Sequence, residues 1–314
     1  MLKLVNISFS YQEKTTLKDI SFTIEKGKTA AIIGESGCGK STLLKLIYGI
    51  YDLNNGQISY NDKPILGPKF NLIPGEEYIK YLAQDFDLMP FISVEENIGK
   101  FLSNTNKILK TTRINELLEM VEMISFAKTK VQYLSGGQQQ RVAIAKVLAL
   151  EPEILLLDEP FSQIDTFRKN KLRRNLFQYL KQKQITCLIA THDSKDILAF
   201  ADETLVLQDG KLIANDNTKK LYENPTSHYI ASLFDEVNEI SSTIFNPENT
   251  NSSTILVYPH QLKKVEKSNM RVKVLNSYFK GNNFLIETQF NKQTIFFDSD
   301  VAIEKGTFVF LSIK

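Results

Sequence analysis

Residues 34–41 read Gly34-Glu35-Ser36-Gly37-Cys38-Gly39-Lys40-Ser41 and fit the pattern G-x-x-x-x-G-K-[ST]. Before them, Thr29-Ala30-Ala31-Ile32-Ile33 is a short apolar run of the kind carried by a strand buried on both faces. After them, Thr42-Leu43-Leu44-Lys45-Leu46-Ile47 is made mostly of helix formers. Strand, loop and helix in that order are the setting the pattern needs, and they predict an α/β fold built around a phosphate-binding loop. Gly34, Gly37 and Gly39 let the backbone wrap so that successive N–H groups converge on phosphate oxygens. A helix starting near Lys40 points its positive end at the same anion. Lys40 can then reach the β- and γ-phosphates, and the Ser41 hydroxyl can coordinate Mg²⁺. Ser36, Cys38 and Thr42 complete the nucleotide-binding set. Because Cys38 stands at a helix start, it is expected to react with thiol reagents unless nucleotide covers it. The plain alternative is a glycine-rich turn.

A second glycine pair, Leu134-Ser135-Gly136-Gly137-Gln138, leads into Gln139-Gln140-Arg141-Val142-Ala143-Ile144-Ala145, an apolar-periodic stretch that reads as another helix start facing phosphate. An ordinary turn capped by Ser135 is the competing reading. Further on, Ile154-Leu155-Leu156-Leu157 reads as a buried strand ending in Asp158-Glu159-Pro160. Ligands of open α/β sheets sit at the carboxyl ends of strands, and two adjacent acids delivered there are costly unless they meet a cation. Asp158 is therefore read as the Mg²⁺-side acid and Glu159 as the group that polarises the attacking water. The strand Ile185-Thr186-Cys187-Leu188-Ile189-Ala190 brings His192 to the same edge, where it becomes a catalytic candidate rather than a lone surface histidine.

The 314 residues exceed what one core usually organises, so a main domain and a smaller one are expected. The composition is 42% hydrophobic and 24% charged, which excludes a disordered or fibrous chain. No apolar run exceeds the five residues Ile197 to Ala201, so a spanning helix and a secretory leader are both disfavoured. Two cysteines cannot make a disulfide framework, and His192, His228 and His260 show no metal-ligand spacing; a reducing, cytoplasmic home is expected. Net charge is +2, and the densest basic group, Lys263, Lys264 and Lys267, is explained by a solvated helix or loop, so nucleic acid is not expected as a partner.

Taken together, these pieces resemble the nucleotide-binding subunit of the ATP-binding cassette (ABC) transporters over nearly all of residues 1–237. Leu134 to Gln138 matches that family's signature, and the runs through Ala145 and from Leu155 to Ser162 follow it nearly residue for residue. The resemblance implies that Tyr11 stacks on adenine, that Gln84 touches Mg²⁺ and links the site to membrane subunits, and that Asp165 lies in a loop crossing a dimer interface. Two departures, Gln163-Ile164 before Asp165 and Lys146 where Arg is common, touch interface packing rather than reacting groups. Residues 85–145 correspond to the helical insert, and the segment from Asp87 to Ile98, with Leu88, Met89, Pro90 and Phe91 expected to be exposed, to a docking site for a membrane partner. Packing of that segment on its own domain is the equal alternative.

From residue 238 the pattern changes to short alternating runs, Thr254 to Tyr258, Arg271 to Phe279, Asn283 to Phe290, Thr294 to Phe297 and Phe308 to Ile313, preceded by a polar loop at residues 246–253. They predict a small all-β barrel, which resembles the OB-like (TOBE-type) domain of importers of inorganic ions, polyamines and sugars, although Tyr258-Pro259-His260 stands where Arg-Pro-Glu is usual. The implied protein is an ATPase using ATP and Mg²⁺. It would dimerise so that each nucleotide is shared between Lys40 and Ser41 of one copy and Ser135, Gly136 and Gly137 of the other. It would drive integral membrane permease subunits from the cytoplasmic face of the membrane, and indirectly a solute-binding protein. The alternatives are a non-transport ABC protein acting on ribosomes or DNA, an ABC exporter subunit, and a nucleotide sensor without turnover; the cargo is not encoded in this chain.

Overall fold

The structure is a computed structural model that describes residues 1–245 and 254–314. The polar loop expected at 246–253 lies outside the described residues. The chain divides into two compact units, Met1–Thr218 and Lys219–Lys314.

The first unit opens with the long hairpin β1 (Leu2–Tyr11) and β2 (Lys14–Ile24), followed by β3 (Thr29–Ile33), α1 (Lys40–Ile47), β4 (Asn55–Tyr60), the two-residue β5 (Lys63–Pro64) and β6 (Ile79–Leu82). Three helices come next, α2 (Val94–Gly99), α3 (Lys107–Met120) and α4 (Gly136–Leu148), within the stretch expected to be a helical insert. The unit then returns through β7 (Ile154–Asp158), α5 (Thr166–Gln182), β8 (Thr186–Ala190), α6 (Ser194–Phe200), β9 (Glu203–Gln208) and β10 (Lys211–Asn217).

Its strands form two sheets. One is antiparallel in the order β2-β1-β4-β5; the other runs β10-β9-β3-β8-β7-β6 and is parallel from β9 to β6. Every residue of β3, β7 and β8 is buried, which is why these strands read as continuous apolar runs rather than alternating ones. Side chains still alternate. Ala30 and Ile32, Ile154 and Leu156, and Leu188 and Ala190 point into one core, which they share with Leu43, Leu44, Leu46 and Ile47 of α1 and with Leu2, Leu4 and Ile7 of β1. Fully burying each leucine or isoleucine among them contributes about 1.5–3 kcal/mol. The phosphate-loop helix is therefore clamped between the two sheets, and its start is fixed against the carboxyl edge of the parallel one.

The second unit carries α7 (Thr218–Glu223), α8 (His228–Ser232), β11 (Asn238–Ser241), α9 (Ser242–Phe245), β12 (Thr254–Val257), β13 (Leu262–Val265), β14 (Met270–Phe279), β15 (Phe284–Phe290), β16 (Gln293–Ser299) and β17 (Phe308–Ile313). The last five form an antiparallel sheet in the order β13-β17-β14-β15-β16, with β11 and β12 paired beside it, an all-β arrangement consistent with an OB-like domain. Met270, Val272 and Val274 alternate inward from β14 onto Ile286, Phe297, Val309 and Leu311. Asn238 is buried and satisfied: its amide donates to the carbonyls of Phe296 (2.8 Å) and Val257 (3.1 Å) and accepts from the Phe296 N–H (2.7 Å). Lys263 and Lys264, read from sequence as a solvated helix or loop, lie instead on β13, which pairs with β17; both side chains are exposed. Whereas the sequence pattern changes at 237, the compact unit begins near residue 219. Tyr222 explains the difference, because its ring stacks on Tyr258 at 4.6 Å and on His260 at 6.2 Å, within the β unit.

Candidate active site

The loop between β3 and α1 makes the first half of the site. Gly34 adopts φ 149°, and a Cβ there would stand 2.1 Å from the Leu207 carbonyl, so glycine is required by contact as well as by conformation. Lys40 curls over the loop, its ammonium donating to the carbonyls of Gly34 (2.7 Å) and Glu35 (2.9 Å). Ser36, Gly37, Gly39, Lys40, Ser41 and Thr42 line a cleft of about 220 Å³ together with Gln84, Asp158, Glu159 and Thr16. Residues separated by more than a hundred positions thus meet, because α1, the end of β6 and the end of β7 share one sheet edge.

Asp158 is buried at the end of β7; one carboxylate oxygen accepts from the Ser41 hydroxyl at 3.0 Å and the other from the Tyr81 hydroxyl at 3.2 Å. Burial, and then the charge of Asp158, push the Tyr81 phenol up, so it stays a neutral donor. A serine hydroxyl, one buried carboxylate and the nearby Gln84 amide form a hard-oxygen donor set that fits Mg²⁺, which typically takes one or two carboxylates and fills its sphere with phosphate and water. Among the described residues there is no group of three His, Cys, Asp or Glu able to hold a metal without such help.

Glu159 is the strained residue of the edge. Its φ of 50° lies in the left-handed region. It is held there by its N–H bonding the Ala190 carbonyl at 2.9 Å and its carbonyl accepting from the Gln140 amide at 3.0 Å. The side chain reaches His192, whose Nδ1 lies 2.9 Å from Oε1. His192 is itself 76% exposed at its side chain, open to the space in front of the sheet edge.

Tyr11 is the last residue of β1. It is 40% exposed, packs edge-on against Phe9 (4.8 Å) and Tyr51 (5.3 Å), and its hydroxyl lies 3.4 Å from the Thr42 hydroxyl. An aromatic ring is thus presented next to the phosphate loop on a rigid tripod.

Ser135, Gly136, Gly137, Gln138 and Asp165 gather elsewhere, around a second cleft of about 260 Å³ that also includes Arg141, Gln163, Ile164 and Arg168. No residue lines both clefts. The Ser135 hydroxyl accepts from the Gln138 N–H (3.4 Å) and the Gln138 side chain accepts from the Ser135 N–H (2.8 Å), so the capping role weighed from sequence is real. The box uses the amides of Ser135 and Gln138, so capping leaves those of Gly136 and Gly137 free to serve an anion. Gly137 must be glycine because a Cβ would lie 2.7 Å from the Gln163 carbonyl.

Cys38 departs from expectation. It is 6% exposed, and its sulfur is folded beneath the loop, 3.8 Å from the Lys40 ammonium. The loop itself shields the thiol, so the expected protection by nucleotide is replaced by slow labelling in either state; Cys187, buried with its thiol pushed up by desolvation, is equally inert. Mass-spectrometric counting of maleimide adducts checks this, and fast labelling suppressed by ATP would contradict it. Leu88 and Met89 also differ from their expected exposure: both are half-buried, because the buried Asn97 bonds Met89 through its N–H (2.9 Å) and its carbonyl (3.0 Å), while Pro90 and Phe91 remain exposed.

Several supporting residues carry no motif. Gln140 is fully buried; besides holding Glu159, it accepts from the Gln163 N–H at 3.0 Å, so it joins α4 to both acidic loops. Arg173 of α5 is buried against Asp193, next to His192, and Lys169 bonds the same carboxylate at 2.8 Å. Gln140 lies inside the signature run and could have been singled out as a polar residue on an apolar helix face, but its partners are distant in sequence.

Comparison with known proteins places this geometry. The family model described as ABC transporter matches residues 17–162. Two Fe(3+) ions import ATP-binding proteins from Haemophilus influenzae are each 31% identical over the whole chain: FbpC 2 of strain ATCC 51907, of which 88% is covered, and FbpC of strain 86-028NP, of which 89% is covered. Among solved structures, the ATP-binding cassette MJ0796, dimeric in a post-hydrolysis state with ADP and Pi, superposes with TM-score 0.62 at 29% identity over 69% of this chain and 99% of that one. The cbiO1 protein of Clostridium perfringens, part of the ABC transporter complex cbiONQ, superposes with TM-score 0.63 at 30% identity over 71% of this chain and 90% of that one. Phosphate loop, signature helix and acidic strand end thus stand in one sheet-and-helix frame shared with these proteins, and the chain belongs to the ABC transporter family as one of its ATPases.

Proposed function

We propose that this chain is the ATP-hydrolysing subunit of an importer, working as a dimer of identical copies on membrane permease subunits. One observation supports the dimer: the phosphate-loop cleft and the signature cleft each open on the start of a helix, yet share no lining residue. Two half-sites on one chain are useful when a second copy turns its signature cleft onto the first copy's loop. The dimeric state of MJ0796 and the import named for the two Haemophilus proteins support the reading. An inorganic ion, ferric iron foremost, is the cargo these relatives favour. Among the described residues no helix is long and apolar enough to cross a membrane, which suits peripheral attachment at the cytoplasmic face through the permease.

In this reading Tyr11 stacks on the base, the loop amides and Lys40 hold the β- and γ-phosphates, and Ser41, Asp158 and Gln84 hold Mg²⁺, which when bound neutralises phosphate charge. Glu159 orients the attacking water and takes its proton. His192, kept in place by Glu159, meets the transferred phosphoryl oxygens. Ser135 and the amides of Gly136 and Gly137 from the other copy, with its Asp165, close the site. Light scattering on the Glu159→Gln variant tests the dimer. A mass near 36 kDa, the 35.8 kDa of one chain, is expected without nucleotide, and twice that with Mg-ATP. A mass that stays at one chain under saturating Mg-ATP would refute it.

A further inference from the structure

Between β6 and α2 the chain must carry Gln84 into the phosphate-loop cleft and then turn back to the helical insert. It does so through two successive non-glycine residues in the left-handed region, Phe86 at φ 63° and Asp87 at φ 43°. Neither has glycine's freedom, so this backbone persists only where neighbours over-determine it. At the far side the anchor is Asn97, which grips Met89 through both main-chain groups. At the strained residue itself the anchor is Lys146, whose ammonium donates to the Asp87 carbonyl and also to its carboxylate at 2.9 Å.

The two bonds are not equivalent. The Asp87 side chain is 95% exposed, so its ion pair contributes little. The Lys146 side chain is only 10% exposed, and its bond to the main-chain carbonyl fixes the peptide that follows the strained turn. Lys146 lies on α4, the helix that begins with Gly136 and Gly137, so one ammonium ties the loop of one half-site to the helix of the other. Lysine suits this task as a compact point donor on a stem that packs along the helix.

We propose that Lys146 is a positioning residue for ATP turnover: it straps the Gln84 loop to the signature helix and so makes the two half-sites move as one body. The proposal rests on the reading of Gln84 as a site residue. Lys146 touches no nucleotide, so losing it displaces Gln84 without removing any nucleotide contact.

The test uses the full chain and compares Lys146→Met, Lys146→Arg, Asp87→Ala and Gln84→Ala by steady-state ATPase kinetics, fluorescent-nucleotide binding and thermal melting. Misplacing a site group by about an ångström can cost on the order of a hundredfold, so Lys146→Met is expected to lower kcat by roughly 10- to 100-fold. Its nucleotide Kd should stay within about twofold and its melting temperature within a few degrees, because the apolar stem is retained. Lys146→Arg should recover turnover to within about threefold of the parent, since a guanidinium can still donate to the carbonyl. Asp87→Ala should be mild, because the carbonyl remains. A kcat that falls in Gln84→Ala but not in Lys146→Met overturns the strap alone. A kcat that falls in neither overturns the reading of Gln84 and the strap with it. A Lys146→Arg variant as slow as Lys146→Met, or a loss that tracks melting temperature, also overturns the strap.

Discussion

Replacing Glu159 by Gln lowers ATP turnover by roughly 10²–10⁴ while nucleotide binding survives, the usual effect of removing a positioned general base. The structure makes this substitution clean. The strained backbone of residue 159 is held by Ala190 and Gln140 through main-chain groups, so the side chain can change without moving the turn. Glutamine fills the same volume and can keep the hydrogen bond that His192 Nδ1 makes at 2.9 Å. The lost quantity is therefore the carboxylate's ability to take a proton. Phosphate release under saturating ATP, alongside nucleotide binding by fluorescence, measures the split. Unchanged turnover would remove Glu159 from the role of base, and lost binding would show that it supports the cleft instead.

Replacing Arg173 by Met destabilises the cassette by about 3–5 kcal/mol, the range for removing one partner of a buried charged cluster. Arg173 is 4% exposed and lies between Asp193 and Asp196, with Lys169 on the Asp193 side. Its guanidinium also lies over the Phe161 ring, 5.5 Å from guanidinium carbon to centroid, a cation–π contact that methionine loses. The two acids titrate in opposite senses. Burial alone would raise Asp193, but the hydrogen bonds and charges of Lys169 and Arg173 outweigh it and hold the carboxyl down at about 2, below its ordinary 3.8. A depressed acid stabilises the fold above its unfolded value and loses that contribution as pH falls from about 4 towards 2. Burial lifts Asp196 to about 6 against the pull of Arg173 and Lys169. A raised acid favours the folded state as pH falls from about 6 to 4. Stability from this cluster is therefore expected to peak near pH 4 and fall steeply below it. In Arg173→Met the fall below pH 4 should flatten, because Asp193 moves back towards its ordinary value. Chemical denaturation between pH 3 and 7 reads both effects, and a variant with parental stability and an unchanged acid limb would rule the cluster out as a structural anchor.

The order of strand, glycine loop, helix, signature and acidic strand end was legible because each element is local. The apolar run at 29–33, the glycines at 34, 37 and 39 and the acids at 158–159 state their requirements within a few residues of themselves. Spacing alone also placed the strand end that brings His192 to the same edge as Glu159. The β-rich second unit was legible for the same reason, through alternation along β14 to β17. Gln140, Tyr81, Arg173 and Lys146 were not legible: each is a polar residue whose partner lies many positions away, and pairing across the fold leaves no local pattern. The burial of Cys38 and of the Leu88-Met89 turn was likewise decided by how loop and helix pack. Local sequence thus set which chemistry the chain can perform, because phosphate binding needs particular residues in short runs. Which groups hold those residues still was decided by packing, because only the folded chain brings buried donors and acceptors together.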